Sequence, residues 1–443
     1  MATAVIELND IELRCGRGGN LSASPGYALL TRSGVLTGAD ARARAWLEPH
    51  HSFDQYWHQL GLSTLGVKNQ HARHFADLAY AQLLALHRAA GEPERVVFAV
   101  PGSFSRDQLA VLLGIARATP FTVTGLVDAA VAAAAQQSTP GALLHLDLQR
   151  HGAILTAVSG GDELRRQRVT LLPELGLKAF HSLWAQFIAE RFIATYRYDP
   201  LHTGAGEQAL HDALPGWLTT LAREPELAVT LTGPRGPLRL QLAATELAQA
   251  ARELYGRLTT AVQEARAVTN AQTPAPDTLL LSHHFAALPG SGTRLAGVVL
   301  APHAAVTGCL SRIETFATQA ANVLLTALPA AVDKAQAPAS AGVSIRSAPA
   351  TARPRASHLL FRHRAYPLGA GLLIETGGNG VQVRPALVGE PLLPDTLLFG
   401  SRGGALTVTG SLAGAELSGD PADLRVGDRL RVGTELLELI EVA

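Results

Sequence analysis

The stretch from Leu328 to Ser357 constrains this chain most. It is rich in alanine, proline and serine, with Pro329, Pro338, Pro349 and Pro354 among them, and such a composition buries too little apolar surface to pack a core. It reads as a flexible or partly extended linker that divides the 443 residues in two. Strand and helix patterns alternate over 1–327, whereas over 358–443 short apolar runs are separated by glycines. Each part is long enough to bury a core of its own.

In the first part, Ala4-Val5-Ile6-Glu7-Leu8 and Ile11-Glu12-Leu13-Arg14-Cys15 flank Asn9-Asp10 with alternating apolar and polar residues, which predicts a hairpin. Between residues 72 and 90, Ala72, Phe75, Leu78, Ala79, Leu83 and Leu86 recur at helical spacing. Val96–Val100 has the pattern of a buried strand ended by Pro101-Gly102. Ser105 with Gln108 three places on has the form of a capping box, opening a helix over 105–118. A strand at 121–126, an alanine-rich helix at 128–137, a strand at 142–148 and an apolar segment at 153–158 before Gly160-Gly161 repeat this order, so the organisation reads as duplicated. Helices are expected over 175–198, 206–222 and 242–267, and Thr278–Leu281 as a final strand. The fold class is α/β.

Five segments in order resemble the nucleotide-binding part of the seventy-kilodalton heat-shock chaperones, members of the actin and sugar-kinase superfamily. Val96-Val97-Phe98-Ala99-Val100-Pro101-Gly102-Ser103-Phe104 with Gln108 is similar to the family's Val-Pro and Tyr-Phe stretch. Residues 126–135 stand where the family has Asn-Glu-Pro-Thr-Ala-Ala-Ala. Leu143 to Val158 resembles its second phosphate hairpin, and Glu174-Leu175-Gly176 through Phe180 its Leu-Gly-Gly and following helix. His283-His284-Phe285-Ala286-Ala287-Leu288-Pro289 stands where the family has its adenosine-binding Gly-Gly-Ser-Thr-Arg-Ile-Pro, with both glycines gone. The likeness spans roughly residues 1–325 and implies a two-lobed actin-like fold, in which glycine hairpins offer backbone N–H groups to phosphates while acids hold magnesium and a lysine supports phosphoryl transfer.

The loops depart from that design. Glu7-Leu8-Asn9-Asp10-Ile11 replaces Asp-Leu-Gly-Thr-Thr, losing the glycine and both hydroxyls and adding a carboxylate where phosphate would sit. The second hairpin keeps Asp147-Leu148, but its three glycines become Gln149, Arg150 and His151, and Ile154 replaces an acid. Asp128 replaces a glutamate, and no lysine falls within Phe53–Gly61, where the catalytic one is expected. Bulky residues where bare backbone is needed should block phosphate, although Arg150 offers a cation in its place. The expectation is a retained fold without ATPase chemistry and without a cofactor, acting as a protein-binding scaffold or regulator. The active alternative is an ATP- and magnesium-binding chaperone with Asp147, Asp128 and Glu7 as its acids, and Asn9, Asp10, Gln149, Arg150, Gly176, His283 and His284 around the nucleotide. On residue type alone, Glu7, Asp10 and Asp147 read as solvated hairpin ends and His283-His284 as an exposed loop.

Basic and acidic residues balance at 37 each, which gives no general pull toward nucleic acid or anionic lipid. No run approaches the length of a membrane span, and residues 1–10 lack a secretory layout, so a cytoplasmic location is expected. Cys15 and Cys309 show no metal or disulfide spacing and are expected as buried or reduced thiols. Adjacent histidines make a poor metal site, and none is expected. Trp57, Trp184 and Trp217 read as core anchors. Lys68, Lys178 and Lys334 are the only lysines, a bias assigned to genome composition.

In the second part, runs at 371–374, 381–383, 405–408 and 435–442 indicate a small β-sandwich or barrel. Leu424-Arg425-Val426-Gly427-Asp428-Arg429-Leu430-Arg431-Val432-Gly433 resembles the closing strands of forkhead-associated domains, and Ser401-Arg402 their phosphate-reading loop. That resemblance implies a phosphopeptide-binding adaptor through Ser401 and Arg402. Gly404 replaces the usual histidine and Ser418-Gly419 the Asn-Gly turn.

Overall fold

The computed structural model describes residues 3–17, 20–136, 141–267, 278–317, 323–330, 356–361, 364–368, 372–377, 380–385, 396–402, 405–412, 415–418, 426, 428–432 and 435–440. It is a mixed α/β protein whose contacts fall into two units, Met1–Ala337 and Pro338–Ala443.

The first unit is built on two six-stranded sheets of closely related order. In the first sheet, Ala4–Glu7, Glu12–Arg17 and Asn20–Pro25 form an antiparallel meander. Arg95–Val100, Thr122–Asp128 and Leu324–Leu325 then extend it in parallel from Ala4–Glu7. In the second sheet the meander is Leu143–Leu148, Gly152–Ser159 and Glu163–Pro173, extended in parallel by Thr278–Leu281 and Val298–Val299. One further strand, Ala327–Pro329, pairs with the outer edge at Glu163–Arg165. The hairpin-first order read from the sequence thus recurs in both sheets.

Alternation along the strands sorts side chains between three cores. Ala4 and Ile6 join Phe98, Leu78, Leu83 and Leu86 beneath the helix Phe75–Ala89. Leu144, Leu146 and Leu148 join Phe180, Trp184, Ile188 and Phe192 of the helix Leu177–Tyr196. Val5, Val97, Leu143 and Leu280 face a shared core with Ala129–Ala134 and with Val306 and Cys309 of the helix Ala304–Leu310. These two helices can lie close because one is almost all alanine, and a Cβ at Gly308 would run into the Ala132 carbonyl.

Ser105 caps the helix Arg106–Arg117 through the Gln108 amide at 3.2 Å, the Gln108 side chain answering at 2.9 Å. Both cysteines are buried free thiols. Trp57 and Trp184 are fully enclosed, and Trp217 packs partly buried against the same core as Trp184.

The structure also corrects the sequence reading. Glu163–Pro173 and the hairpin Glu226–Gly233 with Gly236–Ala243 were not expected as strands; each exposes one polar face. The helix expected over 242–267 starts later, because Leu242 and Ala243 close that hairpin, and it divides at buried Ala251 into Ala244–Ala250 and Arg252–Ala267. Thr278–Leu281 is not the last strand of the unit. Leu328, assigned by composition to the linker, is wholly buried in the shared core.

In the second unit, an antiparallel sheet of five strands and another of four contribute to one apolar cluster, with Leu359, Phe361, Leu437 and Leu439 from the first and Ile374 and Phe399 from the second. Among the described residues no helix is long and apolar enough to cross a membrane.

Candidate functional site

The tips of the two sheet hairpins, Leu8–Ile11 and Gln149–His151, meet and interlock. Asn9 Nδ2 donates to Asp147 Oδ1 at 3.2 Å and to the Leu148 carbonyl at 3.0 Å, while its Oδ1 accepts the Ile11 N–H at 2.9 Å. The Asp10 N–H donates to Gln149 Oε1 at 3.0 Å. In return, the Asp10 carboxylate accepts the Arg150 N–H. The Leu8 N–H goes to the Ala99 carbonyl and the Gln149 N–H to that of Gly152, both at 2.9 Å. The N–H groups of Leu8, Asp10, Ile11, Gln149 and Arg150 at these tips are therefore satisfied from within. Asn9, Asp10, Gln149 and Arg150 are 3%, 5%, 6% and 6% exposed, so water does not compete for these bonds.

Gly176 has a packing role. It precedes the helix Leu177–Tyr196, and a Cβ there would collide with the backbone of Arg150 and Gly152. That close approach lets the Leu177 and Lys178 N–H groups donate to the Gln149 and Arg150 carbonyls at 2.9 Å each. The first amides of this helix are spent on the hairpin instead of facing outward.

The acids are not solvated hairpin ends, contrary to expectation. Glu7 and Asp147 are partly buried, and Glu7 Oε2 is shut off from solvent without a hydrogen-bond partner among the described residues. Desolvation pushes the Glu7 carboxyl up to about 7, against the pull of Arg14. Asp147 also rises to about 7, from burial first and then from the Glu7 charge. Burial raises Asp10 as well, opposed by the Arg150 amide. The second hairpin brings these acids together across more than 130 residues of sequence.

Arg150 is already engaged. Its Nε lies 2.9 Å from Asp54 Oδ2, its Nη2 donates to the Tyr27 hydroxyl, and its guanidinium sits 4.1 Å from the Tyr27 ring centroid. Asp54 also receives Lys178 Nζ at 3.0 Å, and His151 Nε2 lies 2.9 Å from the Asp54 carbonyl. Burial disfavours the Asp54 anion, but His151, Arg150 and Lys178 together hold its carboxyl far below the usual carboxylate range.

Asp128 is structural. Its Oδ1 caps the helix Ala129–Ala134 through the Ala130 and Val131 amides, and its Oδ2 pairs with Arg166 at 2.8 Å. His283 and His284 begin a short 3-10 helix, His283–Ala287, and are not an exposed loop. Burial lowers the pKa of both, against the pull of Glu12 at His283, and among the described residues His284 Nε2 is shut off from solvent with no partner. Ligand atoms of Glu12, His283 and His284 come within 4.8 Å of one another. Arg14 fills that place: its guanidinium contacts both ring nitrogens of His283 and pairs with Glu12, so the lone pairs a metal would need face a fixed cation.

Ser401 and Arg402 end the strand Thr396–Arg402, opposite Leu406 and Ala405. Their side chains lie outside the described residues, as do Gly404 and Gly419.

Beside the hairpins lies a cleft of about 560 Å³ lined by Tyr27, Arg42, Trp46, Asp54, Lys178 and His211, among others. Sequence reasoning gave none of these a role. Lys178 and Asp54 lie 124 positions apart in the sequence and join only when the sheets pack, so only the rarity of lysine marked one of them in advance. No protein-family model matches the sequence, and no curated protein matches it.

Proposed function

We propose that this chain is a non-catalytic, chaperone-like pseudo-ATPase with a two-lobed actin-like fold, serving as a protein-binding scaffold or regulator. The observation that carries the reading is the interlock of the hairpins. Gln149 Oε1, Asp10 Oδ1 and Asn9 Oδ1 each take an amide that a nucleotide-binding relative reserves for phosphate oxygens.

The residues present do not suit magnesium-ATP. Both oxygens of Asp147 accept side-chain amides, from Asn9 and Gln149, and Glu7 and Asp147 sit near neutrality in their titration. A hard divalent cation needs charged or freely turned oxygens. The paired sheets of related strand order support the two-lobed fold. The small β-unit, joined through an alanine- and proline-rich sequence, supports the scaffold role by raising the local concentration of one binding surface near another.

The test is thermal unfolding with and without magnesium-ATP. A binder at a hundredfold excess over its Kd gains roughly 2.7 kcal/mol; this chain is expected to show no shift and no phosphate release, and a saturable shift would overturn the reading.

A further inference from the structure

We propose that the cleft beside the interlocked hairpins is a binding site for a small organic oxyanion carried on a flat, apolar ring. Its volume of about 560 Å³ lies within the range of small-molecule sites. Three cations reach it: Arg42, Arg150 and Lys178. Arg150 and Lys178 share one carboxylate, that of Asp54. The acid Glu12, which also lines the cleft, is balanced by Arg14. Glu207 also lines the cleft, its carboxyl raised by burial, while the Arg42 guanidinium has no hydrogen bond or ion pair among the described residues.

Arg150 and Arg42 act on both histidines that line the cleft. Burial first, then Arg150 and Arg42 among its neighbours, presses His181 down to about 3 and His211 to about 4. Neutral imidazoles there are donors that repel no anion. Part of the lining is flat and apolar: His211 stacks on Trp46 at 4.1 Å and 9°, and Pro49, Pro215 and Leu218 also line the cleft. The open guanidinium fork of Arg42 and the Trp46–His211 ring pair, both tied to Gln208, together select a carboxylate or phosphate ester on an aromatic body. A polyphosphate gains nothing comparable, because the hairpin amides are already taken.

The probes are benzoate and phenyl phosphate, titrated calorimetrically into the full chain, which separates the carboxylate from the phosphate form. Arg42 ends the short helix Ala39–Arg42, and its hydrogen bonds run through the backbone, the N–H to the Gly38 carbonyl and the carbonyl from the Ala45 N–H and from Gln208 Nε2 at 3.0 Å, so Arg42→Ala should fold. Binding of either probe with a Kd of about 1 mM or tighter, weakened about tenfold by Arg42→Ala and less by Arg42→Lys, is the expected result. His211→Ala, which removes half of the ring stack, should weaken the same probe. No binding of either probe by about 1 mM, or equal affinity in Arg42→Ala, would overturn the proposal. The outcome is separate from that of the magnesium-ATP experiment, since neither probe carries a polyphosphate.

Discussion

Asp10 and Arg150, 140 positions apart in the sequence, are tied by a hydrogen bond from the Arg150 N–H to the Asp10 carboxylate. The bond joins the tips of two hairpins that belong to different sheets. A side-chain oxygen of one hairpin thus takes a backbone amide of the other, and the hairpins become a clasp between sheets. Removing the acceptor strands a buried amide, so Asp10→Ala should lose about 1–3 kcal/mol. Asp10→Asn keeps an acceptor and relieves a buried charge, so it should lose less. Chemical denaturation of both variants checks the order; equal losses would mean the amide is not the group that matters.

Glu7 and Asp147 make stability fall as pH rises. Each carboxyl is raised in the folded state, to about 7, from ordinary values of 4.5 and 3.8. The folded protein therefore holds more protons than the unfolded chain across that interval, and stability is lost from about pH 4 to about pH 7. The two acids interact, so they titrate as a pair. Glu7→Gln should raise stability at pH 8 by about 1–3 kcal/mol and flatten the curve above pH 5. Unfolding followed across pH 4–8 is the check.

Asp54 has the opposite sign. Its carboxyl is held far below the usual range, so its contribution is present above about pH 4 and is lost as pH falls. Asp54→Asn would leave the buried Arg150 without its counter-ion and should cost about 3–5 kcal/mol near neutrality. Lys178 is half exposed and adds little to that loss. The variant's deficit should shrink below pH 4.

Gly308→Ala tests the contact between the two small-residue helices. The added Cβ would meet the Ala132 carbonyl, and overpacking of this kind costs about 1–3 kcal/mol. A thermal midpoint equal to wild type would show that these helices are further apart than described.

How much of this was legible in the sequence follows from which patterns are local. The hairpin at 4–15, the buried strand at 96–100 and the Ser105–Gln108 capping box carry their signals within a few residues, and all three were read correctly, the strand starting one residue earlier at Arg95. Glu163–Pro173 was hidden because one face is solvated, so Arg165, Arg166 and Arg168 mask the alternation. The bulky residues at 149–151 were visible in the sequence, but the destination of their side chains was not. Asp10 and Asp147 looked solvated because their burial is supplied by the other sheet. Asp54, Lys178, Tyr27 and Arg42 come from separate segments and belong together only in the folded chain.

The most direct measurement is amide hydrogen exchange at Asp10, Ile11 and Arg150, with and without magnesium-ATP. Slow exchange at all three, unchanged by nucleotide, is predicted, because Gln149, Asn9 and Asp10 already hold those protons. Rapid exchange that slows only when magnesium-ATP is added would contradict it.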